Sequence, residues 1–145
     1  MAKECAHTDY PLRTAQSMTP VEFSSRELAL LKRHDICRIA TITQDGWPHC
    51  VPVGYLYRKG QFYIPVSKSS KKVSNLRANH CACIVIDDEK ENVLMVQGHV
   101  EIIEDKRFTK LKRWMTAKTG WTISKPSLGA ILVLRPEKKT SRKLT

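Results

Sequence analysis

Between Ser67 and Lys72 the chain reads Ser-Lys-Ser-Ser-Lys-Lys, three hydroxyls and three ammonium groups in six residues with no acid among them. Groups of these two kinds donate hydrogen bonds and positive charge together, which is the chemistry of an anion site and suits a phosphate. The local helix signals sharpen the reading. Ser69 or Ser70 is a suitable cap for a short helix running to Asn79, which puts Lys71 and Lys72 in its first turn. Cations are disfavoured at that positive end of the helix dipole unless an anion occupies the exposed N–H groups. The cysteine and histidine pattern carries less. Cys81-x-Cys83 puts two thiols on one strand face beside His80, but Cys37 and Cys50 stand alone and no second ligand pair completes a zinc site. The cysteines read as small buried hydrophobes, His49 and His99 as structural residues in strands, and no metal is expected.

The elements that must position the anion site are mostly strands. Three β-rich runs, Cys37 to Thr43, His49 to Tyr57 and Gln61 to Val66, are separated by Gln44-Asp45-Gly46 and Arg58-Lys59-Gly60. Glycine supplies the positive φ that tight hairpin turns need, so the runs form a meander whose exit carries the cationic segment. Pro52 and Pro65 lack the N–H of a central ladder and mark an edge or an opening, and Gly54 permits a close approach to the backbone. A fourth run, Cys81 to Ile86, ends in the acidic turn Asp87 to Asn92. A long strand follows, Val93 to Ile103, with Gly98 as a bulge or kink, and Leu128 to Leu134 is the last. Helix signals begin at Thr19-Pro20 or again at Ser24-Ser25-Arg26-Glu27, and a second long helix runs from Asp105 to about Lys118 with Phe108, Leu111, Trp114 and Met115 as its stripe. Trp114 and Trp121 suit packing at least as well as ligand contact. The expected fold is mainly β with flanking helices: a six-stranded antiparallel barrel with helices plugging its ends. Residues 1–18 read as a flexible arm, 19–136 as the barrel and 137–145 as a frayed basic tail.

Composition limits the partners. The 145 residues, 41% hydrophobic and 27% charged, describe one globular domain, and no run approaches the roughly 20 apolar residues of a membrane helix. The opening Met1 to Cys5 lacks the apolar core of a secretory signal, and five cysteines without a loop framework read as reduced thiols in a cytoplasmic protein. The net charge of +11 is concentrated: from Glu104 onward twelve basic residues face three acidic ones. Such a surface favours anionic partners, namely phosphate-bearing cofactors, acidic substrates or nucleic acid. Sparse aromatic interleaving in that third, with no nucleic-acid motif, argues against the last of these.

Three stretches together resemble the pyridoxamine 5′-phosphate oxidase-like, FMN-binding split-barrel superfamily. They are Arg38-Ile39-Ala40-Thr41-Ile42 with Asp45-Gly46-Trp47-Pro48-His49 and Val51-Pro52-Val53; Phe62-Tyr63 leading to Ser70-Lys71-Lys72 and Asn75-Leu76-Arg77-Ala78-Asn79; and Val96-Gln97-Gly98-His99-Val100. The resemblance covers roughly residues 28–118 and implies a homodimeric split barrel with FMN at the subunit interface. It implies that Arg38 and Lys72, with Lys71 and Ser70, bind the flavin phosphate. Backbone groups of Ile39, Ala40 and Thr41 and of Pro52 and Val53 would line the isoalloxazine ring, Tyr63 and Ser67 would complete the near wall, and Gln97 would approach from the partner subunit. Flavin carries the electron chemistry itself, so the resemblance implies an FMN-dependent oxidoreductase reduced by a nicotinamide nucleotide or another donor, with no catalytic residue assigned. Relatives that use the deazaflavin coenzyme F-420, or bind haem, keep those alternatives open, as does a non-catalytic flavin module. Ile64-Pro65 stands where the family often has Thr-Asn, His80 where proline is common, and residues 135–145 lack an arginine-x-histidine pair, all of which argue against pyridoxamine phosphate itself as the substrate.

Overall fold

The computed structural model describes residues 21–144. The expected arm, residues 1–18, and the Thr19-Pro20 helix start lie outside them. Helix α1 spans Ser25–Arg33 and starts at the second of the two signals. The Glu27 N–H donates to Ser24 Oγ at 3.2 Å, while the Ser24 N–H donates to Glu27 Oε1 at 2.8 Å, so two end donors are satisfied reciprocally. The remaining elements are β1 (Ile36–Ile42), β2 (Pro48–Gly54), β3 (Leu56–Arg58), β4 (Gln61–Ser67), α2 (Lys71–Ala78), β5 (Cys81–Asp87), β6 (Val93–Ile103), α3 (Arg107–Thr119) and β7 (Gly129–Arg142).

All strand pairs are antiparallel, in the order β2-β1-β5-β6-β7-β4-β3. Strands β2 and β3 therefore occupy opposite ends of the sheet, yet one residue, Tyr55, joins them. A single residue spans under about 4 Å, so the sheet must curl until its two edges meet. Tyr55 is buried, its N–H donates to Asp35 O at 2.9 Å and its hydroxyl donates to Leu31 O at 2.8 Å. The junction is thus fastened to the end of α1. The result is a curled half-barrel of seven strands, one more than expected. The run read as one strand, His49 to Tyr57, contains two, because its chain direction changes sheet edges at Tyr55.

The prolines fall where the ladder is incomplete. Pro52 lies on the edge strand β2, and Pro65 lies in the part of β4 that has β7 on one side but extends past its pairing with β3. At Gly54 the Trp121 ring packs so closely that an added Cβ would lie 2.9 Å from it. Inside the curl, Cys37, Ile39, Phe62, Ile64, Ile84, Leu94, Val96 and Leu132 form the main core. A second cluster, Ile103, Phe108, Met115, Ile131 and Val133, lies where α3 packs on the outer side of β6 and β7, so residues 129–134 are buried on both faces.

The carboxyl end differs from expectation. Residues 137–142 are not a frayed tail: β7 continues to Arg142, pairing Lys138 to Arg142 with Val93 to Gln97. The register shifts between Gln97 and Gly98, where a Cβ on Gly98 would sit 2.1 Å from the Arg135 carbonyl oxygen. The extended strand meets α1 through Glu27, which is 3% exposed and bonds the Lys139 ammonium. Burial alone pushes the Glu27 carboxyl up, but the Lys139 ammonium, the Ser24 N–H and the Ser141 hydroxyl outweigh it and hold it below its ordinary value. Cysteine chemistry also departs from expectation. Cys37, Cys50 and Cys83 are free, but Cys81 is disulfide-bonded, so the reading of five reduced thiols does not hold at that position. Among the described residues no helix is long and apolar enough to cross a membrane.

Two outcomes follow from this packing. Gly98→Ala forces the β6–β7 bulge apart and lowers unfolding stability by about 1–3 kcal/mol in denaturant melts. Glu27→Gln leaves Lys139 without its counter-charge and destabilises the protein by about 2 kcal/mol at neutral pH. Because the Glu27 carboxyl is depressed in the folded state, wild type loses that contribution as pH falls below the ordinary glutamate range, and the variant lacks this part of the acid slope.

Candidate functional site

The cationic segment forms a corner between β4 and α2. After Ser67 the chain turns: the Ser70 N–H donates to Ser67 O at 3.1 Å and the Ser70 hydroxyl donates to the same oxygen at 2.8 Å. The Ser67 and Ser69 hydroxyls are 3.0 Å apart. Ser70 holds the N-cap position with extended backbone, but its side chain makes no cap bond and the first turn contains no acid. The hydroxyl that would ordinarily serve the helix end is committed to the turn. The leading N–H groups of α2 are therefore left without a side-chain acceptor. Lys71 is exposed and Lys72 half-buried beside them, and burial lowers the Lys72 pKa. A charge kept in this setting is one that a bound anion would relieve.

Helix α2 is keyed to β1 by a buried bond that the sequence did not single out as part of the site. Asn75 Nδ2 donates to Thr41 Oγ1 at 3.0 Å, and both residues are buried. The available signal was a polar Asn75 between the apolar Val73 and Leu76. Strand β1 alternates: Cys37, Ile39 and Thr41 turn inward, while Arg38, Ala40 and Ile42 face outward. Of Ile39 and Thr41 only the backbone is offered to the outer side. Ala40 pairs with Cys50 on β2 and Cys83 on β5, and Cys83 pairs with Gln97 on β6. Cys50, Ala40, Cys83 and Gln97 therefore form one row across four strands, with Gln97 about 10 Å from Ala40 at two strand spacings. Pro52 is exposed in the next row beside Arg38, and Val53 turns its side chain toward the core.

Two of the expected site residues are engaged elsewhere. Arg38 Nη1 donates to Asp87 Oδ1 at 2.8 Å, on an open cleft of about 790 Å³ that also takes in Arg33, His34 and Asp88. In the sequence Asp87 opens an acidic solvent turn, and nothing in its local spacing marks it as the partner of Arg38. Tyr63 lies under α3, edge-on to Trp114 with ring centroids 5.1 Å apart, and its hydroxyl donates to Gln61 Oε1 at 3.2 Å. Trp114 in turn carries the Arg58 guanidinium 4.8 Å above its ring. The chain thus brings Ser67, Ser70, Lys71 and Lys72 into one corner and sets Ala40, Pro52 and Gln97 on one outer face. Arg38 and Tyr63 are held by separate partners. Across the hairpin from the corner, Asp45 is held below the usual carboxylate range mainly by the Thr43 hydroxyl, with Lys71 adding to the effect. No group of three or more metal-ligating side chains occurs among the described residues.

This donor set fits a phosphorylated ring. Open helix N–H groups, serine hydroxyls and lysines suit the phosphate, and a strand face bearing alanine and proline leaves backbone accessible to something flat. Solved structures share the architecture. HutZ, the haem-storage protein of Vibrio cholerae, is 15% identical over 83% of this chain and 94% of its own, with a TM-score of 0.69. An F-420 reductase is 20% identical over 84% and 98%, with a TM-score of 0.65. An FAD-binding protein of Mesorhizobium loti is 22% identical over 82% and 94%, also at 0.65. Likeness at these identities establishes the split-barrel fold. No curated protein matches the chain. The family model for pyridoxamine 5′-phosphate oxidase matches residues 25–142, most of the chain and all of its strands, so the protein belongs to the pyridoxamine 5′-phosphate oxidase family.

Proposed function

We propose that the protein is an FMN-binding flavoprotein, a cytoplasmic homodimer that passes electrons between a nicotinamide nucleotide or another donor and a small acceptor. The observation that carries this reading is the uncapped amino end of α2, where Lys71 and Lys72 occupy a turn that the helix dipole makes unfavourable for cations. A phosphate bearing up to two negative charges resolves that conflict, and charge-assisted hydrogen bonds to it are the strong kind. In this reading Ser70, Lys71 and Lys72 hold the phosphate and Ser67 stands on the near wall of the ring. Arg38 joins them by exchanging Asp87 for it. Backbone groups of Ile39 to Thr41 and of Pro52 and Val53 seat the ring, Tyr63 backs the wall, and Gln97 reaches in from the partner subunit. The bound flavin supplies the redox chemistry, and the protein's work is to bind and orient it and to exclude water.

Coenzyme F-420 is the alternative that the same donors serve, since it too presents a phosphate and a flat ring, and an F-420 reductase shares the fold. Haem is the other, because HutZ is a haem-storage protein. Parallel titrations with FMN, F-420 and haem, read by the thermal midpoint, separate the three. FMN at a hundredfold excess over its Kd stabilises by about 2.7 kcal/mol. If no flavin raises the midpoint and the purified protein is colourless, the reading fails.

Lys72→Ala weakens FMN binding roughly 10- to 100-fold, as expected for a lost charge-assisted contact of about 1.5–3 kcal/mol. Arg38→Ala weakens it less, because its guanidinium must first leave Asp87. The Lys72 pKa is lowered in the free protein, and a bound dianion favours its charged form. FMN affinity therefore falls as pH rises through the free-protein Lys72 pKa, and Lys72→Arg removes that fall. Equilibrium titrations at several pH values read both effects.

A further inference from the structure

We infer that the solvent face of α3 is a binding surface for the phosphate backbone of a nucleic acid strand. The helix Arg107–Thr119 contains Arg107, Lys110, Lys112, Arg113 and Lys118 and no acidic residue. Its apolar side chains Phe108, Leu111, Trp114 and Met115 all pack toward the sheet. The rest of its surface carries Thr109, Lys110, Lys112, Arg113, Thr116 and Ala117, and Lys118 is exposed at the carboxyl end of the helix. Arg107 is committed to Glu101 and Asp105. Among the described residues, Lys110, Lys112, Arg113 and Lys118 form no ion pair with any carboxylate. An open cleft of about 500 Å³ between the helix and the following loop is lined by Thr109, Lys112, Arg113, Thr116, Ala117 and Pro126. Hydroxyl and cationic donors side by side are the groups that contact phosphate and sugar without reading sequence.

The chemistry of the face selects this partner over others that carry negative charge. An anionic membrane surface is bound by helices that also insert apolar side chains, and here those side chains are spent on the core. A protein partner is anchored by large aromatic or aliphatic residues at the centre of the interface, and the exposed face of α3 offers only the methyl of Ala117. Sequence composition argued against nucleic acid because aromatic interleaving is sparse. Backbone binding through phosphates needs no stacked base, so sparse aromatics do not count against this mode. From Lys110 to Lys118 the helix advances about 12 Å at 1.5 Å per residue, and a strand of duplex places a phosphate every 3.4 Å or so, which makes about three phosphates within reach.

The inference does not depend on the flavin reading, and its test uses the full chain. Anisotropy of a labelled 20-nucleotide single strand and of the matching duplex is measured from 50 to 200 mM salt. About three phosphate contacts predict a log–log slope near −2.7 for the duplex and −2.1 for the single strand, and losses of affinity of roughly 40-fold and 20-fold over that range. The charge-reversed triple variant Lys110→Glu, Arg113→Glu, Lys118→Glu lowers affinity at least tenfold and flattens the slope. These three residues are exposed, and an unchanged thermal midpoint confirms that the variant is folded. No binding at 50 mM salt, or a folded triple variant with wild-type affinity and slope, overturns the proposal. Binding to phosphatidylserine vesicles without binding to either oligonucleotide overturns it as well.

Discussion

Tyr55 is the single residue between two strands that lie at opposite ends of a seven-strand order, and most of the molecule follows from that linkage. A sheet whose ends are so tethered cannot remain open. Hydrogen bonds from Tyr55 to Leu31 and toward Asp35 bind the junction to α1, so the curl and the first helix are established together. Where the two edges approach, the ladder is incomplete, and prolines occupy the positions that would otherwise invite another strand. The bulge at Gly98 supplies the bend on the far side, where β6 and β7 pair along eleven positions.

Once the curl is set, its outer surface becomes available for work. One part is covered by α3 through Phe108 and Met115. Another part is the row through Cys50, Ala40, Cys83 and Gln97, which runs across four strands. At the end of the curl, the bond from Asn75 to Thr41 fixes where α2 begins, and so fixes where its unfilled N–H groups and two lysines stand. The corner is thus a by-product of how the barrel is closed. Its electrostatic character comes from a serine turn that consumes the capping hydroxyl and leaves the positive helix end uncompensated.

Much of this was legible in the residue order. Asp45-Gly46 and Lys59-Gly60 announced hairpin turns, Gly98 announced the bulge, and the stripe of Phe108, Leu111 and Met115 announced a packed helix. The start of α2 could also be read locally, with Ser70 at the N-cap and Lys71 and Lys72 in the first turn. Other features depend on distant partners. The break at Tyr55 is invisible in a run that stays β-rich on both sides of it. The extension of β7 to Arg142 is carried by charged and polar residues whose strand pairing is supplied by β6, and by the contact of Lys139 with Glu27 more than a hundred residues earlier. Similarly, Arg38 meets Asp87 across β1 and β5, and Tyr63 meets Trp114 across β4 and α3, contacts that no spacing rule encodes.

The central claim is that the amino end of α2 receives a phosphate. Backbone amide chemical shifts followed during titration with FMN, and in parallel with riboflavin, which carries the same ring without the phosphate, test it most directly. The account predicts that FMN moves the amide resonances of Lys71, Lys72 and Val73 strongly and that riboflavin leaves them nearly in place while still perturbing Ala40 and its neighbours. Equal perturbation by both ligands, or FMN shifts confined to residues away from that helix end, would contradict it.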